Sequence, residues 1–104
     1  MSNKEDVLKF LNALAQINTL GLDPDSLTIP YDEDCPITRG SKIIKTKMDQ
    51  GGDEHLTGST GITIGGLMVA EVGDCYIIKW DNSQYKHIDG NVTFCQGSKI
   101  SDKL

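Results

Sequence analysis

The stretch from residue 40 to residue 82 constrains the fold of this 104-residue chain more than any other. It opens with Gly40-Ser-Lys-Ile-Ile-Lys-Thr-Lys-Met48 and passes through a polar, glycine-bearing loop to Gly58-Ser-Thr-Gly61. A second apolar run ends in Tyr76-Ile-Ile-Lys-Trp-Asp-Asn82. Ile, Val, Thr and aromatic residues suit a pleated, half-buried surface, and the glycines fall where a turn needs positive φ. The order is strand, long loop, tight turn, hairpin, then a strand closed by Trp-Asp-Asn. That order predicts a small sheet closing on itself.

The segment ahead of it reads differently. Ser2-Asn-Lys-Glu5 fits a capping box, and Val7, Leu8, Phe10, Leu11, Leu14, Ile17 and Leu20 recur at helical spacing. Gly21 supplies the stop. A helix is predicted over about residues 3–19. It is expected to pack on the sheet, the alternative being a dimer seam or a docking face for a partner. All three prolines, Pro24, Pro30 and Pro36, fall in the connector that follows. The strands predicted beyond it are Lys42–Lys47, Gly61–Glu71 with a bulge near Gly65-Gly66, Cys75–Trp80, Tyr85–Ile88 and Val92–Cys95. Domain organisation is then one unit: helix 1–21, connector 22–38, barrel 39–97, and a frayed tail 98–104.

Charge and thiols bound the function. The net charge is −5, and most of the excess acid lies before residue 41. That sign disfavours binding to phosphate backbones and suits a basic protein partner, or simply solubility. Cys35, Cys75 and Cys95 are odd in number and form no CxxC pair. With no signal-like apolar segment, the expectation is reduced thiols in a cytoplasm, that of a bacterium or of a phage-infected cell. No apolar run approaches the ~20 residues that span a bilayer.

The strand and turn pattern is that of an SH3-like barrel, giving an α+β fold class: an N-terminal amphipathic helix packed on a small SH3-like β-barrel. The spacing from Gly40 through Met48-Asp49 to Gly58 and Gly61, then to Trp80-Asp81-Asn82, resembles a domain family of unknown function. Its members are small SH3-like barrels common in phages and other mobile elements. Over residues 40–95, Ile43 and Lys45 stand where the family usually has two apolar residues. Thr57-Gly58-Ser59 replaces Pro-Gly-Thr, and Ser83 replaces a glycine. The resemblance implies a fold and a genomic neighbourhood but no activity.

Candidate chemistry is sparse. The three cysteines with His55 or His87 lack finger-like spacing, so no metal is predicted. No local signature supports a Cys–His nucleophile, and Gly65-Gly66 lacks the lysine and helix of a phosphate cradle. The cysteines read as small hydrophobes, no cofactor is predicted, and the chain reads as a non-enzyme.

Partner-binding candidates fall in three groups. Trp80, with Tyr85 and His87 across a turn, offers either a core anchor or an aromatic contact in a groove. Asp53, Glu54 and His55 lie in the long loop bordering that groove. Asp32, Glu33 and Asp34 form an acidic surface cluster without calcium-loop spacing. The function expected is a phage or mobile-element protein that engages or inhibits a host protein. The alternatives are a structural assembly protein of a virion or complex, with homo-oligomerisation through the helix, or a small-ligand or nucleotide-binding barrel. Nucleic acid and membrane partners are not expected.

Overall fold

The computed structural model describes residues 2–47, 57–81 and 92–103. Helix α1 runs Lys4–Leu20. Five strands follow: β1 Lys42–Lys45, β2 Thr60–Val69, β3 Gly73–Trp80, β4 Val92–Gln96 and β5 Ile100–Ser101. They form one antiparallel sheet in the order β4-β3-β2-β1-β5. The fold is therefore α+β. Among the described residues, β4 and β5 remain unpaired to each other, so the ladder does not close. Yet only the 3-10 turn Gly97–Lys99 separates these two edges in sequence, which demands a strongly curled sheet.

The helix begins one residue later than a Ser2 cap predicts. Asn3 is the N-cap, its side chain accepting from the Asp6 amide at 2.9 Å. Ser2 is diverted because its backbone and hydroxyl pair with β2: its amide donates to the Met68 carbonyl, and its Oγ accepts from the Met68 amide. At the other end Gly21 takes φ 68° and its amide donates to the Ile17 carbonyl, the predicted stop. Phe10, Ala13 and Ile17 are buried against the sheet with Ile29, Leu67, Ile77 and Val92. Burying Phe10 fully contributes about 1.5–3 kcal/mol, and its ring meets Phe94 edge-on, centroids 6.3 Å apart. Leu8 and Leu11, 54% and 50% exposed, lie off this face.

Strand alternation holds through β3. Tyr76, Ile78 and Trp80 join Ile43, Cys95 and Ile100 on the face away from the helix, closed by Cys35 and Ile37 of the connector. Lys45 shares this inward side. It is 3% exposed with its ammonium 5.9 Å from the Trp80 ring centre. So this lysine points inward, its stem packed and its charge near an aromatic ring.

Strand β2 organises the rest. A bulge falls between Thr63 and Gly65, one residue ahead of the paired glycines where it was expected. The edge of β2 away from β3 is covered in sequence by β1, then by Gly40 and Ser41 bonding Thr63. Farther along, Pro30 and Asp32 bond Gly66, and Ser2 bonds Met68. Short pieces of chain thereby satisfy an otherwise open edge. Gly66 is needed here because a Cβ would lie 2.8 Å from the Tyr31 ring. Where β2 begins, the Gly58 amide donates to the Lys45 carbonyl and the Lys45 amide to the Ser59 carbonyl. Two residues thus oppose one, a bulge whose first position demands the positive φ (98°) that glycine supplies.

The tail corrects the sequence reading. Residues 98–104 were expected to fray. Instead Ile100 and Ser101 pair with β1, and Ile100 enters the core. A two-residue strand is too short to leave a periodic signal.

Candidate functional site

Two elements converge on an acidic corner. The first turn of α1 supplies Asp6, and the connector supplies Tyr31, Asp32, Glu33 and Asp34. Together these line an open depression of about 380 Å³. The connector is held there by local bonds. Asp32 Oδ1 accepts from the Asp34 amide at 2.9 Å and the Asp32 carbonyl accepts from the Cys35 amide, which tightens the turn. The Ser2 hydroxyl donates to Asp32 Oδ2 at 2.6 Å. That hydroxyl, then the Asp34 amide, hold the Asp32 carboxyl below its ordinary range. Asp6 gains from its place at the positive end of the helix.

Tyr31 forms the inner wall. Its hydroxyl donates to the Ile37 carbonyl at 2.7 Å, its ring stacks beneath the Arg39 guanidinium at 5.2 Å, and burial pushes its pKa up to about 12. Behind it the Tyr76 hydroxyl donates to Asp74 Oδ2 at 2.7 Å and accepts from the Ile37 amide. Burial, then the bond to Asp74, raises the Tyr76 pKa. Tyr31 thus braces the connector internally, and Tyr76 ties it to the sheet by accepting from the Ile37 amide.

The cysteines are buried and unoxidised. Burial pushes the Cys35 thiol up to about 11 and raises that of Cys75. Groups so disposed are poor nucleophiles near neutrality. Among the described residues, no three His, Cys, Asp or Glu side chains are placed to hold a metal ion, and no helix is long and apolar enough to cross a membrane.

The sequence candidates divide as follows. Asp32, Glu33 and Asp34 lie together at the surface, joined by Asp6 and Tyr31, which sequence reasoning did not attach to them. Trp80 is placed in the core, 2% exposed, with its indole N–H donating to Thr93 Oγ1 at 2.8 Å. Of its two readings it therefore takes the core anchor and not the groove wall, because it continues the inward alternation of Tyr76 and Ile78. Asp53, Glu54, His55, Tyr85 and His87 lie outside the described residues. No usable signal linked Asp6 to Asp32, since the Ser2–Asp32 bond that joins their elements spans 30 residues of sequence.

No protein-family model, curated protein or solved structure matches this chain. Its class rests on its own fold: among the described residues, an α-helix and a five-stranded antiparallel sheet make an α+β chain with a carboxylate-lined corner where helix and connector meet.

Proposed function

We propose that this chain is a non-enzymatic protein-binding module of SH3-like topology, encoded by a phage or mobile element, that engages a basic surface on a host protein in the cytoplasm. The topological part is supported by the strand order, with β5 reached from β4 through a single 3-10 turn and then paired to β1. The mobile-element part rests on the resemblance carried by Gly40, Gly58, Gly61 and Trp80-Asp81. The burial that raises the pKa values of Cys35 and Cys75 favours binding over covalent chemistry.

The observation that carries the reading is the convergence of Asp6, Asp32, Glu33 and Asp34 on one open depression. Such a field speeds encounter with a cationic partner and discriminates against acidic ones. The test is capture of a partner from host lysate by the tagged chain, with Glu33→Lys and Asp34→Lys introduced together. Partner recovery should collapse in the double variant and fall with rising salt. Recovery that survives the charge reversal refutes the reading.

A structural assembly role is the second reading, favoured by the exposure of Leu8 and Leu11 on α1. Light scattering over a range of concentrations separates the two, since only assembly through the helix raises the mass.

A further inference from the structure

A groove of opposite character lies elsewhere on the molecule. One wall is the connector at Leu27 and Ile29, the floor is Ile62 and Ile64 of β2, and Arg39 and Lys79 border it, with a volume of about 490 Å³. The register adds a further cation. Lys42 pairs directly with Ile62, and Ile62 pairs directly with Lys79, so the isoleucine is flanked by two lysines on one sheet face. Both lysines are exposed. Leu27, Ile62 and Ile64 are half-buried.

Arg39 is the only arginine of the chain. It spends its bonds on main-chain carbonyls, donating to Ile29 at 2.6 Å and to Ile64 at 3.4 Å. This ties the two walls together and leaves guanidinium N–H groups uncommitted, since arginine has five. Among the described residues, none of these three cations is joined to a carboxylate. Asp25 is the acidic residue at the rim. A chain with net charge −5 thus presents a locally positive groove with an aliphatic floor.

We propose that this groove docks an extended acidic peptide segment of another protein, one in which an apolar side chain is flanked by carboxylates. The charge is complementary: carboxylates meet Arg39, Lys42 and Lys79 while the apolar residue covers Ile62 and Ile64. The aliphatic floor offers no aromatic platform for stacking a base and suits an apolar side chain, so the chemistry favours a peptide over a nucleic acid. Arg39 borders this groove and also stacks on Tyr31 of the acidic corner, so the two sites are neighbours; the docking proposed here does not require a partner at the corner.

The test is an amide-detected NMR titration of the whole chain with a synthetic peptide of alternating Glu and Leu. Shifts should concentrate on Leu27, Ile62, Ile64 and Lys79. Reversing the two exposed lysines, Lys42→Glu with Lys79→Glu, should weaken binding about tenfold or more. Glu33→Lys should leave the affinity unchanged. The proposal is overturned if millimolar peptide moves none of these amides, or if the shifts map elsewhere. It is equally overturned if the lysine reversal leaves affinity intact, or if a single-stranded oligonucleotide moves the same amides at lower concentration. The map on the unaltered chain decides the matter even where a variant fails to fold.

Discussion

The Ser2 hydroxyl donates to Asp32 Oδ2 at 2.6 Å, joining the chain ahead of α1 to the connector thirty residues on. Ser2 Oγ also accepts from the Met68 amide, so helix entry, connector and β2 meet at one side chain. The acidic corner owes its shape to this junction, because it fixes Asp6 relative to Asp32.

Acid should loosen the corner. The carboxyl of Asp32 is depressed in the folded chain, so its contribution is present above the ordinary carboxylate range and is lost as pH falls through the folded value. Thermal melts over an acid pH series should show a stability slope that is shallower in Asp32→Asn. An identical slope in both proteins would remove the junction's role.

Alkali should act through the phenols. Tyr31 titrates near 12 in the folded chain against about 10 for an exposed tyrosine. A raised folded value means stability is whole below the unfolded pKa and is lost as pH climbs from there through the folded one. Ultraviolet titration of phenolate should therefore show Tyr31 and Tyr76 ionising late, together with unfolding. Early ionisation of all three tyrosines would contradict this.

Crowding at β2 gives a sharper prediction. Gly66→Ala places a methyl group against the Tyr31 ring, where the Cβ would sit 2.8 Å from it. Overpacking of this kind costs about 1–3 kcal/mol. Chemical denaturation should report that loss, and it should shrink in the double variant Gly66→Ala with Tyr31→Leu.

The indole of Trp80 and the hydroxyl of Thr93 form a buried pair. Thr93→Val keeps the shape and removes the acceptor of this bond, at a cost of about 1–3 kcal/mol. Denaturation followed by tryptophan fluorescence measures it directly, since Trp80 is the one tryptophan.

Ile100 tests the unexpected last strand. It is buried in the same cluster as Trp80 and Tyr76, so Ile100→Ala should cost about 2–5 kcal/mol. A frayed tail would lose almost nothing.

The parts that were legible in the sequence are those coded locally. Of the predicted stripe, Phe10 and Ile17 are buried with Val7 and Leu14 beside them, whereas Leu8, Leu11 and Leu20 are exposed and Ala13 joins the buried face unpredicted; the stop at Gly21 follows from positive φ. The alternation Tyr76, Ile78, Trp80 followed from strand period, and it sent the tryptophan inward as one of its two readings required. Lys45 was not legible as an inward residue: a lysine in a short strand reads as exposed, yet it is buried with its ammonium near the Trp80 ring. What stayed hidden depends on distant partners. Ser2 reads as a helix cap until Met68 and Asp32 are beside it. Ile100 reads as tail because two residues have no period. The corner was half visible, as Asp32, Glu33 and Asp34, but Asp6 and Tyr31 join it only through folding. The basic groove left no mark, since Arg39, Lys42 and Lys79 are assembled by register and by a connector crossing.

The central claim is that the acidic corner is the surface a protein partner covers. Hydrogen–deuterium exchange of the chain alone and in complex with its captured partner tests it most directly. The account predicts new protection at Asp6 and across Tyr31–Asp34, with little change in β4. Protection confined to α1 around Leu8 and Leu11, or none at the connector, would contradict it.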